Sequence, residues 1–152
     1  NGFKYLAILS YPWLAPWHPD PHLFHLPYLV RALQEMEDAW GLSEVGVIID
    51  YCYLWQMDGE QDRRTSEQKQ EFIAGLRVIN TPYGHRDVTA VKLTATPVTD
   101  ARGYDDRGWT LFESILIDGK EPSEKAYDSA LNTCNVLVFD STFEMTSEPQ
   151  HG

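Results

Sequence analysis

Residues 45–54 read Val-Gly-Val-Ile-Ile-Asp-Tyr-Cys-Tyr-Leu. The run is continuous, β-branched and aromatic, with one charge at Asp50, and predicts a strand covered on both faces, as in a parallel sheet. Such strands are joined by helical crossovers, and the flanking sequence supplies them. Upstream, Leu29, Leu33, Met36 and Trp40 recur at helical spacing, with Gln34, Glu35, Glu37 and Asp38 off that stripe. Pro27 suits the first turn of this helix and Gly41 its end. Downstream, a polar loop from Met57 to Arg64 leads to Thr65, three residues before Gln68, the spacing of a capping box. Phe72, Ile73, Leu76 and Ile79 form the expected apolar face of the second helix, and Gly84 is its expected end.

Further out, Lys4–Ser10 reads as a first strand, followed by a stiff, Pro-rich loop from Tyr11 to Pro21. Val88–Leu93 reads as a third strand and Asn135–Asp140 as a last one. Between them lie a loop from Ala95 to Arg107, a short helix over Trp109–Leu116 and another over Ser123–Leu131. Strands alternating with helices predict an α/β three-layer sandwich with a central parallel sheet of four to five strands flanked by helices. Ligands of such sheets bind beyond the carboxyl ends of the strands, here the segments starting at Ser10, Asp50, Ala95 and Asp140. Residues 1–145 are expected to form a single domain, with 146–152 a polar tail.

The totals bound the partners. The chain has 152 residues, 43% of them hydrophobic, enough for one domain with a core of its own. Twelve basic against 23 acidic residues give a net charge of −11, a field that repels nucleic acid and anionic lipid. Apart from Arg63-Arg64 there is no basic cluster, although backbone amides at a helix start could still hold an anionic nucleotide. Cys52 and Cys134 are too few for a disulfide framework, and each sits in an apolar run, so both are expected to pack as small buried hydrophobes in a reducing, cytoplasmic setting. No stretch reads as a membrane span or signal peptide. Position 1 is Asn rather than Met, which fits an excised or processed piece of a longer chain.

Several residues stand out chemically. Asp50 ends an apolar strand, where a carboxylate faces a cleft or accepts backbone N–H bonds. Glu113 lies four residues after Trp109 on an otherwise apolar helix. Beside an indole in a half-buried site its pKa would rise, which suits work on a sugar or nucleoside, where carboxylates stabilise oxocarbenium-like charge. The structural alternative is a surface glutamate paired with Arg107. His18-Pro19-Asp20-Pro21-His22, with His25, could suggest a metal site, but it matches no zinc spacing and no metal is expected. Ser10 lacks a G-x-S-x-G elbow, and the P-loop and dinucleotide fingerprints are absent.

Three of these features together resemble the Toll/interleukin-1 receptor (TIR) domain family. Leu9-Ser10-Tyr11 is similar to the end of its first strand, Ile48-Ile49-Asp50 to the end of its second, and Trp109-Thr110-Leu111-Phe112-Glu113 to the W-C-x-x-E helix start of plant-type members. The resemblance covers nearly the whole chain in element order and length. It implies that NAD is a substrate rather than a recycled cofactor, hydrolysed or cyclised at the nicotinamide–ribose bond in a signalling or defence role, with Glu113 near the ribose hydroxyls. It implies that Ser10, Tyr11 and Trp13 contact the nucleotide and that Trp109 packs on a ligand ring. Asp50 and Arg107 complete the expected substrate-binding set, and self-association is expected for activity. Two departures are visible: Thr110 stands where the motif has Cys, and the loop over residues 17–21 is longer and stiffer than in that family. Residues 50–56 also resemble a strand of the fungal HET domain. Two other readings stay open: a non-catalytic TIR-like module acting by self-assembly, and another nucleoside-processing enzyme such as a deoxyribosyltransferase.

Overall fold

A computed structural model describes residues 5–41, 44–57, 61–121 and 136–140. Four strands, β1 (Tyr5–Ser10), β2 (Val45–Ile48), β3 (Thr89–Leu93) and β4 (Val136–Phe139), pair in the order β2-β1-β3-β4, all parallel. The five helices of the described residues are α1 (Leu26–Trp40), α2 (Asp50–Tyr53), α3 (Ser66–Val78), α4 (Thr81–Gly84) and α5 (Gly108–Asp118). The sheet is the middle layer of an α/β three-layer fold. Because β1 leads to one side of itself and β3 lies on the other, the chain reverses direction at β1, and a crevice is expected where β1 and β3 end.

Side-chain alternation assigns each face its cover. Ala7 and Leu9 of β1 and Val91 and Leu93 of β3 join Ala32 and Met36 of α1 in one apolar cluster with Phe139. Ile8 and Ala90, on the opposite face, pack with Tyr83 of α4 and Ile117 of α5. Helix α1 ends at Gly41, which takes the left-handed conformation (φ +62°) that glycine adopts without a Cβ penalty.

The segment that decided the fold class is shorter as a strand than its composition implies. The Val45–Leu54 run is strand only to Ile48, and Asp50–Tyr53 turns helical. Pairing explains this: Ile8 is the β1 partner of Ile48, and two residues later β1 leaves the sheet, so backbone beyond Ile48 has no ladder to join. β2 is also an edge strand with half-buried side chains, whereas β1 and β3 are the covered ones. Cys52, expected inside the sheet, is therefore exposed on α2. Cys134, the expected helix over 123–131 and the tail lie outside the described residues.

The capping box at Thr65 and Gln68 is present, with both reciprocal hydrogen bonds. The helix it starts stops at Val78, not at Gly84. Pro82 has no N–H and its ring clashes with the carbonyl four residues back, that of Val78, so a separate short helix follows. Of the expected apolar face of α3 only Ile79, at its C-cap, is buried: Ile73 and Leu76 are exposed and Phe72 is half-buried. Phe72, Leu76 and Ile79 instead form one wall of a cavity. No helix of the described residues is long and apolar enough to cross a membrane.

Candidate active site

The site begins where β1 stops. Ser10 is fully buried and belongs to the face covered by α5. Tyr11 turns to the other face, and the loop after it is held in several places. Leu14 N–H donates to the Pro19 carbonyl (2.8 Å), Ala15 N–H to that of His18 (3.2 Å), and Arg107 reaches the Trp13 carbonyl (2.6 Å). Asp20 accepts the N–H groups of Phe24 (2.6 Å), His25 (2.9 Å) and Leu26 (3.2 Å), capping α1, whose own N-cap residue His25 makes no such bond. His18 Nδ1 accepts the Asp20 N–H, and His25 Nε2 lies 3.0 Å from the Pro12 carbonyl. The His18–His25 segment is thus a helix-capping loop, and no group of three metal-ligating side chains occurs among the described residues.

Glu113 projects from α5 toward Ser10. It is 2% exposed, and Ser10 Oγ donates to its Oε2 at 2.6 Å. Ser10 has one hydroxyl proton, so with Glu113 ionised the neighbouring Tyr104 hydroxyl is the donor in the short Tyr104–Ser10 contact. The result is a buried relay, Tyr104 to Ser10 to Glu113. The Tyr83 hydroxyl lies between the Leu9 carbonyl (2.9 Å) and the same carboxyl group, and shares its one proton between them. Burial pushes the Glu113 pKa up to about 7, hydrogen bonds from Ser10, Tyr83 and Trp109 hold it back, and the Asp50 charge raises it further. Burial also raises the phenol pKa values of Tyr11, Tyr83 and Tyr104, so all three stay neutral hydroxyls.

Neither half of the surface ion-pair alternative holds. Glu113 is buried, and Arg107 pairs with Asp100 and the Trp13 carbonyl, tying the loop after β3 to the loop after β1. Thr110 is buried and donates to the Tyr104 and Arg107 carbonyls, so this hydroxyl fastens the loop that carries Tyr104.

Above the relay opens a cavity of about 490 Å³ whose walls include Tyr11, Trp13, Asp50, Arg107 and Trp109, with Phe72 opposite. It spans the carboxyl ends of β1 and β2 and the start of α5. Asp50, the first residue of α2, accepts the Tyr51 N–H at 2.6 Å, and burial raises its pKa against hydrogen bonds from Tyr51 and Trp13. The first turn of α5 has no capping side chain and no acidic residue, so the Gly108–Thr110 amides, beside Arg102 and Arg107, could hold a phosphate. Of the residues singled out in the sequence, Tyr11, Trp13, Asp50, Arg107 and Trp109 meet at this cavity. Ser10 and Glu113 meet each other but do not line it. Trp109, 42% exposed, lines the cavity and is near enough to Glu113 to lower its pKa, and so connects the two.

Tyr83 and Tyr104 escaped sequence reasoning. They lie 74 residues from Leu9 and 94 from Ser10, and neither sits in a local motif; only three-dimensional proximity assigns them to the site. Compared with protein-family models, curated proteins and solved structures, the chain matches none of them.

Proposed function

We propose that the chain cleaves the nicotinamide–ribose bond of NAD, with Glu113 as the carboxylate that stabilises the developing ribosyl cation. The observation that carries this reading is a carboxyl group buried at the reversal point of a parallel sheet, pushed to about 7, and linked through Trp109 to a cavity lined by aromatic rings. As the C–N bond breaks, nicotinamide leaves with the bonding electrons and positive charge spreads over the ribose ring; ionised Glu113 offsets it. Water adds to the ribose carbon and loses a proton, giving ADP-ribose. If a ring nitrogen of the adenine adds instead, the product is cyclic. Tyr104 and Ser10 orient the carboxylate, and Trp109 packs on a ligand ring. Because Glu113 lies beneath the cavity, the reading requires the Trp109 indole to move aside when the ribose is seated.

The test is nicotinamide release from NAD by the concentrated chain, resolved by chromatography, beside Glu113→Ala. Release that falls by about 10²–10⁴-fold in the variant is the expected result. No release by the wild-type chain, even when crowded into assemblies, overturns the reading. One observation favours a non-catalytic module acting by self-assembly: Ile73, Leu76 and Val78 leave α3 with an exposed apolar surface. That reading expects concentration-dependent association with no turnover.

A further inference from the structure

A second cavity, of about 630 Å³, adjoins the first. The two share Trp13, Gln56 and Phe72, so they form one continuous depression. The outer wall of the second is Trp17, which is 64% exposed, together with Met57. An indole left that bare on a mobile loop would be unremarkable, but this loop is not free. Pro12, Pro16, Pro19 and Pro21 restrict it, two backbone hydrogen bonds close it, and Asp20 anchors its end to α1. Trp17 also starts a ladder of rings: His18 is 6.1 Å from it, Tyr51 is 5.0 Å from His18, and Trp13 is 5.5 Å from Tyr51. The ladder thus leads from the second cavity back to the wall shared with the first. The backbone that carries Trp17 is therefore fixed before a ligand arrives, which lowers the entropic cost of binding.

Among the described residues, the second cavity offers ring faces rather than free charge. The cation among these, Arg64, lies 4.5 Å over the Phe72 ring while its N–H groups are taken up by Asp62 and the Trp55 carbonyl. Arg102 and the uncapped start of α5, groups that could hold a phosphate, line the first cavity, where Arg107 is already held by Asp100 and the Trp13 carbonyl. A ligand filling both would place a flat, uncharged heterocycle against Trp17 and its phosphates toward Arg102 and the start of α5. A purine covers an indole face more fully than a pyrimidine does.

We infer that the second cavity is a stacking subsite for a purine ring joined through phosphates to the group held in the first cavity, an inference that rests on the nucleotide reading of that first cavity. It makes the ligand a dinucleotide and gives Trp17 the recognition of its second base.

The test is calorimetric titration of the full chain with adenosine monophosphate and, separately, with nicotinamide mononucleotide, for wild type, Trp17→Ala, Trp17→Leu and Trp17→Phe. Trp17 is mostly exposed, so these changes leave the core untouched, and the leucine variant keeps apolar bulk without a flat ring. Saturable binding of adenosine monophosphate is expected, with its affinity relative to nicotinamide mononucleotide falling about tenfold in Trp17→Ala and Trp17→Leu and largely restored in Trp17→Phe. Absence of adenosine monophosphate binding at millimolar concentration, or binding indifferent to Trp17, overturns the subsite. Binding that depends on Trp17 in a chain that releases no nicotinamide keeps the subsite and removes the nucleosidase. Nicotinamide release with adenosine monophosphate binding indifferent to Trp17 does the reverse.

Discussion

On β1, Ala7 and Leu9 point to one side of the sheet and Ile8 and Ser10 to the other; on β3, Val91 and Leu93 share the first side, and Ala90 and Lys92 the second. The α1 side is mainly apolar, with Thr89 and His25 its buried polar residues. The α5 side buries Ser10, Lys92, Thr110 and Glu113 within the same few turns. Each buried polar group costs desolvation unless it is paired, and on the α5 side Ser10, Lys92, Thr110 and Glu113 all have partners. One face holds the sheet together, and the other carries polar groups whose arrangement at the strand ends is suited to chemistry.

That contrast can be broken at graded positions. On the α1 face, Leu93→Ala or Met36→Ala opens a void in close-packed apolar surroundings and should cost about 2–5 kcal/mol of unfolding free energy by urea denaturation. On the α5 face, the largest effect should come from pH. Glu113 has a folded pKa of about 7 against an ordinary 4.5, so the unfolded chain ionises first as pH rises. Its stability contribution is fully present below about 4.5 and is lost as pH rises through about 7, a fall of roughly 3 kcal/mol. Glu113→Gln should remove that fall; thermal midpoints of both proteins measured from pH 5 to 8 check it, and parallel curves would contradict it.

Smaller and asymmetric effects should follow at Lys92. Its ammonium, on a side chain 8% exposed, contacts Asp118, whose side chain is 63% exposed. Asp118→Ala leaves the lysine buried with Ser114 alone and should cost about 1–3 kcal/mol. Lys92→Met leaves a carboxylate that water can reach, so its cost should stay within about 1 kcal/mol. Equal losses from the two substitutions would show that the pair itself, not the burial of the lysine, sets the energy. The smallest effect belongs to the loop between the faces: Asp20→Ala strips three N–H groups of their acceptor and should lower stability by about 1 kcal/mol, readable as a shifted urea midpoint.

The apolar face was far more legible in the sequence than the polar one. Leu29, Leu33 and Met36 repeat at helical spacing because one side of α1 must meet the sheet, and Gly41 marks its end by the conformation it takes. The Thr65–Gln68 cap is local, and local rules found it. The β2 run was overextended because composition cannot say where a partner strand leaves, and that boundary was set by Ser10, far away in the chain. Trp109 and Glu113 were visible as an i, i+4 pair, but what buries Glu113 is Ser10, 103 residues distant, together with Tyr83 and Tyr104. The apolar face of α3 read as core because periodicity shows that a face is apolar, not whether another element or an open cavity lies against it.

Whether the carboxyl group on the polar face serves chemistry is decided by nicotinamide release from NAD followed from pH 5 to 9 in wild type and Glu113→Gln. The account predicts a rate that rises with pH through about 7 in the wild type, as Glu113 ionises, and falls by at least about 10²-fold at every pH in the variant. Release at wild-type rates by Glu113→Gln, or a wild-type chain that releases nothing at any pH, would contradict it and leave Glu113 as a structural member of a buried hydrogen-bond network.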